Sequence, residues 1–169
     1  ERNSLINSKE GYGIQLSVNS IKLLNKIQFD KLENSEKFNP DKINFYSIKN
    51  FNKISELNIS DFNTENCKYT TLKRSSLIDF LKKDLEKEIK FDHTISKIEQ
   101  QDQIVKIAFE NNEIYEFDYL IISDGVFSKS KNLLSKNQIE PKFNDTLAIR
   151  GIIPSSSNMA DKKNISLFL

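Results

Sequence analysis

The sequence predicts an α/β chain, on three observations. Leu120-Ile121-Ile122 is an apolar run with no polar alternation, the pattern of a strand covered on both faces. Leu77, Leu81 and Leu85 recur at four-residue steps behind Ser75-Ser76, the pattern of an amphipathic helix with a hydroxyl at its start. Between these lie strand-like pieces at Thr94–Ile98 and Ile104–Phe109. The second puts Ile104, Lys106 and Ala108 on one face and Val105, Ile107 and Phe109 on the other.

Taken in order, Gly11 and Gly13 lead into a short apolar strand at Ile14–Leu16. Ser17 then suits the cap of a helix carrying Ile21, Leu24 and Ile27 on one face. Residues 28–41 are charged, end near Pro40 and read as a surface connection with a short helix. Ile43–Ile48 and Ile54–Ile59 read as strands around the turn-prone Lys49-Asn50-Phe51-Asn52. Ser76 and Asp79 have capping-box spacing, and Asp79–Lys83 and Lys82–Glu86 are spaced to pair on the outer face of a helix over 76–87. After the 94–98 and 104–109 strands, Glu110-Asn111-Asn112-Glu113 is a turn, because asparagine tolerates the left-handed region. The return strand runs through Glu116-Phe117-Asp118 into Tyr119–Ile122. A helix over about 128–135, a loop around Pro141, a strand at Thr146–Ile153 and a strand-like end at Ile165–Leu169 complete the map.

Composition excludes several classes. Lys plus Arg number 25 against 24 acidic residues, a net charge of +1, and no lysine cluster stands apart from acids, so no nucleic-acid partner is expected. No apolar run has membrane-spanning length and no signal peptide is visible. Cys67 is the single cysteine and His93 the single histidine, which excludes an internal disulfide and a zinc cluster; no metal site is expected. His93 reads as a strand or loop residue. The chain holds four glycines, with none between Gly13 and Gly125, and it opens on Glu1; both features read as those of a fragment.

The chemistry concentrates where Tyr119–Ile122 passes into Ser123-Asp124-Gly125. In an open α/β sheet, ligands bind outside the carboxyl ends of the strands, and a glycine there permits close backbone approach. Alone, an Asp-Gly pair reads more readily as a simple turn. Its weight comes from three further pieces in order: Glu1-Arg2, Gly11-Tyr12-Gly13-Ile14-Gln15-Leu16-Ser17-Val18-Asn19, and Leu72-Lys73-Arg74-Ser75-Ser76-Leu77. Together with Asp124-Gly125-x-x-Ser128-x-x-Lys131, this order resembles the flavin-dependent aromatic hydroxylases. These are single-component FAD monooxygenases that include para-hydroxybenzoate and salicylate hydroxylases and the polyprenyl-phenol hydroxylases of ubiquinone biosynthesis.

The resemblance covers nearly the whole chain and implies a partial FAD/NAD(P)-binding Rossmann-like fold with part of a mixed β-sheet substrate domain. It implies a cofactor domain over 1–39 and 71–142 and a substrate sheet over 40–70 and 143–169. It implies FAD as cofactor, NAD(P)H as reductant and a small aromatic or prenylated phenol as substrate. It implies cofactor contacts from Glu1, Arg2, Gln15, Arg74, Asp124 and Gly125; catalytic residues are not assigned. A carboxylate at Glu1 accepts from ribose hydroxyls, and the planar guanidinium of Arg74 suits phosphate or flavin oxygens. The chain departs from the pattern at Val18, where many relatives have proline, and at Ile122-Ser123, where they have Gly-Ala. Lys131 stands for an arginine, which keeps charge and loses bidentate geometry, so nucleotide handling is the element most altered. Arg150, in an Arg-Gly strand like that of relatives, reads either as facing substrate or as pairing on the surface. Two family landmarks, a glycine-rich turn and a Gly-Asp element, are expected before Glu1 and beyond Leu169, so residues 1–169 alone are expected to be inactive. The parent is expected in the cytoplasm, peripheral to the membrane if its substrate is prenylated, with oligomeric state open. A reductase or halogenase of the same fold and a non-catalytic remnant stay open as alternatives. A methyltransferase is disfavoured by the missing glycine-rich loop within 14–124.

Overall fold

The computed structural model describes residues 1–6, 12–135, 139–147 and 163–169. In chain order the elements are strand β1 (Gly13–Leu16), helix α1 (Val18–Leu24), strands β2 (Lys37–Phe38), β3 (Lys42–Tyr46), β4 (Lys53–Asn58) and β5 (Thr70–Lys73), and helix α2 (Arg74–Lys82). Strands β6 (Ile95–Gln101), β7 (Ile104–Phe109) and β8 (Ile114–Phe117), helix α3 (Ser130–Leu134) and strand β9 (Ile165–Phe168) follow. They belong to two compact units, one of residues 7–83 with 150–169 and one of residues 1–6 with 84–149.

The described residues of the first unit form two sheets. One is antiparallel, in the order β1-β5-β2, with Gly13 opposite Lys73, Gln15 opposite Thr71 and Phe38 on the far side of Thr71. Alternation sends Ile14, Leu16 and Leu72 to one face, where they pack with Ile21 and Leu24 of α1, Leu77 and Phe80 of α2, and Phe29. Phe29 and Phe80 meet edge to face at 5.2 Å. The 28–41 stretch, read from sequence as surface, therefore supplies the core: Phe29 and Pro40 are fully buried. Its short 3-10 turns bring Phe29 inward while the lysines and acids stay outside. The other sheet, β4-β3-β9, pairs β3 antiparallel to β4 and parallel to β9.

Several expectations need correcting here. Ile27 is 56% exposed, because α1 gives way at Asn25 to a tighter 3-10 turn that rotates it off the core face. Ser17 stands at the α1 N-cap without a side-chain cap bond. The 76–87 helix is instead Arg74–Lys82; Lys83 leaves the helical region and Asp84 takes φ +66°, which turns Leu85 out to solvent. The Ser76–Asp79 capping box is not formed, since the Ser76 hydroxyl donates to the Glu36 carboxylate and Asp79 pairs with Lys82 at 2.6 Å.

The second unit is built on the meander β6-β7-β8, antiparallel throughout, with Ile107 buried at its centre. This hairpin series follows the predicted strands and the Asn112 turn, whose φ is +67°. The segment Tyr119–Ile122 forms no strand, and Tyr119 and Ile121 are each 88% exposed. An extended apolar segment becomes a strand only when a neighbour aligns with its N–H and C=O groups, and no described strand does so here. Asp124 accordingly sits in irregular backbone and not at a strand end. The predicted 128–135 helix is the single turn-and-a-half of α3. Thr146 and Leu147 are not in a strand; the rest of the predicted 146–153 strand, Arg150, and Gly11 lie outside the described residues.

Candidate functional site

The turn after Asp124 organises the site in the second unit. Gly125 adopts φ +83°, where a side chain is strained, and its carbonyl accepts from the Ser128 amide at 3.1 Å. This turn brings the Asp124 carboxylate over the start of α3, where Oδ2 accepts the Ser130 N–H at 3.2 Å. Ser128 Oγ in turn accepts the Lys131 amide at 3.1 Å, and both serines are buried. The hydrogen bond from the Ser128 hydroxyl, supplemented by the Ser130 amide, holds the Asp124 carboxyl below the usual range, so it is an anion at neutral pH. Lys131 Nζ folds back onto the Val126 carbonyl at 3.2 Å.

Asp124 and Gly125 line a cavity of about 600 Å³ whose wall also includes Glu1 and Arg2. That wall is tied down by main-chain pairing: the His93 amide donates to the Glu1 carbonyl at 2.9 Å and the Asp92 amide to the Asn3 carbonyl at 3.2 Å. Glu1 Oε1 accepts the Asn3 amide at 2.9 Å. Lys129 and Glu110 also reach the cavity, so its lining mixes cations with carboxylates. A second cavity of about 480 Å³ shares Asp124 and Gly125 and is walled by Ile122, Lys131 and Leu134.

Four of the predicted residues, Glu1, Arg2, Asp124 and Gly125, thus line one cavity of one unit. Gln15 and Arg74 belong to the other unit. Arg74 opens α2, its amide bonded to the Tyr12 carbonyl at 2.9 Å, and its guanidinium is exposed with no partner among the described residues. Gln15 is exposed on β1, and its Oε1 accepts the Tyr69 hydroxyl at 2.8 Å.

Sequence reasoning missed the surroundings of His93, which also lines the larger cavity. Its Nε2 lies 3.0 Å from Glu113 Oε2, and its Nδ1 faces the Phe91 carbonyl. Glu113 also accepts the Tyr115 hydroxyl, and Lys90 Nζ donates to that hydroxyl at 2.9 Å while lying 4.7 Å from the ring centre. The Tyr115 and His93 hydrogen bonds, in that order, lower the Glu113 carboxyl. The available signal was the two-residue spacing of Glu113 and Tyr115, which puts them on one face of the return strand. Among the described residues no His, Cys, Asp or Glu group is arranged to hold a metal, and no helix is long and apolar enough to cross a membrane.

No family model and no curated protein matches the chain. Solved structures do. A 2,6-dihydroxypyridine-3-hydroxylase from Arthrobacter nicotinovorans superposes with TM-score 0.67 at 15% identity, covering 85% of this chain and 34% of its own. HpxO of Klebsiella pneumoniae, solved with FAD and uric acid, gives TM-score 0.62 at 13% identity over 75% of this chain and 32% of its own. The fold is that of the FAD-dependent monooxygenases. CtdE, solved with FAD and a substrate, gives TM-score 0.64 at 17% identity over 78% of this chain and 32% of its own. The chain spans about a third of the length of these structures.

Proposed function

We propose that residues 1–169 belong to an FAD-dependent monooxygenase, as part of its cofactor domain and part of its substrate sheet. The parent hydroxylates an aromatic or polyprenyl-phenol substrate with O2 and NAD(P)H. The supporting observation is that Glu1 and Arg2 line one cavity with Asp124 and Gly125, more than a hundred residues away in sequence, within a fold shared with FAD-bound structures.

The lining suits a nucleotide. A cavity of about 600 Å³ is within the range of small-molecule sites. Glu1 uses one carboxylate oxygen on the Asn3 amide, leaving the other for ribose hydroxyls. Nothing lies within 4 Å of the missing Cβ of Gly125, so a ligand has access to its backbone. In this reading Glu1, Arg2, Asp124 and Gly125 hold FAD, and Gln15 and Arg74 are further cofactor-binding residues. When bound, the flavin supplies the redox chemistry that connects NAD(P)H to O2. Residues 1–39 and 71–142 serve the cofactor, and 40–70 and 143–169 the substrate. The parent works in the cytoplasm, peripheral to the membrane if the substrate is prenylated.

The test uses the natural full-length protein containing residues 1–169. Flavin absorbance after purification and phenol-stimulated NAD(P)H oxidation across a panel of simple and prenylated phenols are expected. Glu1→Gln keeps shape and removes the anion, and should weaken FAD binding roughly tenfold. A purified protein that neither retains nor rebinds FAD, or flavin with no phenol-stimulated oxidation anywhere in the panel, overturns the reading.

A further inference from the structure

Gln15 carries a primary amide, which can present either a carbonyl oxygen or an amino group to whatever lies above β1. Which end faces outward decides which ligand atoms it recognises. The structure holds a device that makes this choice.

Gln15 stands opposite Thr71 in the β1–β5 ladder, so Tyr69, two residues before Thr71, projects from the same face of the sheet. The Tyr69 hydroxyl donates to Gln15 Oε1 at 2.8 Å. Tyr69 is itself held at both ends of its peptide: its amide donates to Asn63 Oδ1 at 2.8 Å, and its carbonyl accepts Asn39 Nδ2 at 2.9 Å. Burial pushes the Tyr69 phenol above its ordinary range, so it stays a donor at physiological pH. With Oε1 engaged, the Gln15 Nε2 hydrogens have no partner among the described residues. Gly13, two residues earlier on the same face, has no side chain, and nothing lies within 4 Å of where its Cβ would be. The face beside Gln15 is therefore open to a flat ligand close to the strand.

We infer that Tyr69 is a positioning residue: it fixes the Gln15 carboxamide so that Nε2–H2 is offered to a ligand bearing carbonyl or ring-nitrogen acceptors. The inference rests on the cofactor reading of Gln15 and adds the residue that orients it. Tyr69 itself does not touch the ligand.

The test is a double-mutant cycle in the natural full-length holoprotein, read by the FAD dissociation constant and by the visible flavin spectrum. Tyr69→Phe keeps the ring and removes the donor. It should weaken FAD by roughly three- to tenfold and shift the spectrum. Gln15→Ala should weaken it at least as much, and adding Tyr69→Phe to Gln15→Ala should change nothing further. Gln15→Glu still accepts from Tyr69 but offers no donor, so it should bind FAD less well than Gln15→Ala. Thermal melts of each apoprotein separate these effects from unfolding, and reconstitution with excess FAD keeps a weakened variant measurable. A Tyr69→Phe effect that persists in the Gln15→Ala background, or Gln15→Glu binding like the parent, overturns the inference while leaving Gln15 a contact. A Gln15→Ala protein with unchanged affinity and spectrum removes Gln15 from the cofactor reading, and this inference with it.

Discussion

Glu56, on β4, accepts from Lys42 across the sheet at 2.8 Å and from Lys53 along its own strand. The Lys42 hydrogen bond, followed by that of Lys53, lowers its carboxyl from the ordinary 4.5 to about 2. A lowered folded value means stabilisation that is complete above the ordinary value and lost as pH falls through the folded one. Glu56→Gln should therefore melt below the parent at pH 6, with the gap closing between about pH 4.5 and 2 and shrinking with added salt. Melting curves at pH 6, 4 and 2 that keep a constant gap would refute this. Gly125 makes a second residue-scale case. Its surroundings have room for a methyl group, so Gly125→Ala should cost only the backbone strain of φ +83°, about 1 kcal/mol in urea unfolding. Gly125→Asn, whose side chain tolerates that region, should cost less. The Asp-Gly pair was legible in the sequence, whereas its bond to Ser130 was not, because the φ that creates it is invisible in residue order.

At the scale of elements, the core of the first unit gathers around Phe29, which is 2% exposed. Phe29→Ala should cost about 3–5 kcal/mol, and Ile27→Ala, two residues away, less than about 0.5 kcal/mol. Equal losses in guanidinium titrations would show that the 3-10 turn after α1 has been misplaced. Sequence pattern carried β3, β4, β6 and β7 well, since each is a short run rich in isoleucine or aromatics bounded by turn residues such as Asn112. It failed for α2, where Leu85 continues the four-residue repeat past the real end at Lys82. The stop comes from Lys83 and Asp84 leaving the helical region, without the glycine that usually announces it. It failed too for Ser76, whose hydroxyl is taken by Glu36, forty positions earlier. Local spacing cannot register a competitor that distant.

Across the whole molecule, the apolar segment Tyr119–Ile122 has the composition of a covered strand and the exposure of a loop. Exposed extended apolar chain is a template for pairing with another copy. Residues 1–169 produced alone should therefore self-associate, and Ile121→Lys should reduce that association in sedimentation velocity without lowering stability by more than about 0.5 kcal/mol. In the full-length parent, the same substitution should destabilise the protein by several kcal/mol if the segment is covered there. Residues 1–169 alone should also fail to co-elute with stoichiometric FAD on gel filtration, because they span about a third of the length of the FAD-bound structures they resemble. The fold class was legible because hydrophobic period and order are local properties. The state of 119–122 was not, because a strand is a relation between two segments.

The parallel pairing of β9 with β3 joins Ile165–Phe168 to Ile43–Tyr46, with residues 84–149 of the second unit lying between them in the chain. Parallel partners so far apart in sequence incur a loop-closure penalty that no neighbouring contact offsets until both ends are in place. During synthesis, β3 and β4 leave the ribosome as a finished hairpin long before β9 exists, so the β3 edge waits unprotected through the making of β6, β7 and β8. Pulse-labelled hydrogen exchange should find the amides of the β3–β4 hairpin guarded early and those of Ile165–Phe168 last. A chaperone that binds this nascent chain would find its target in that waiting edge.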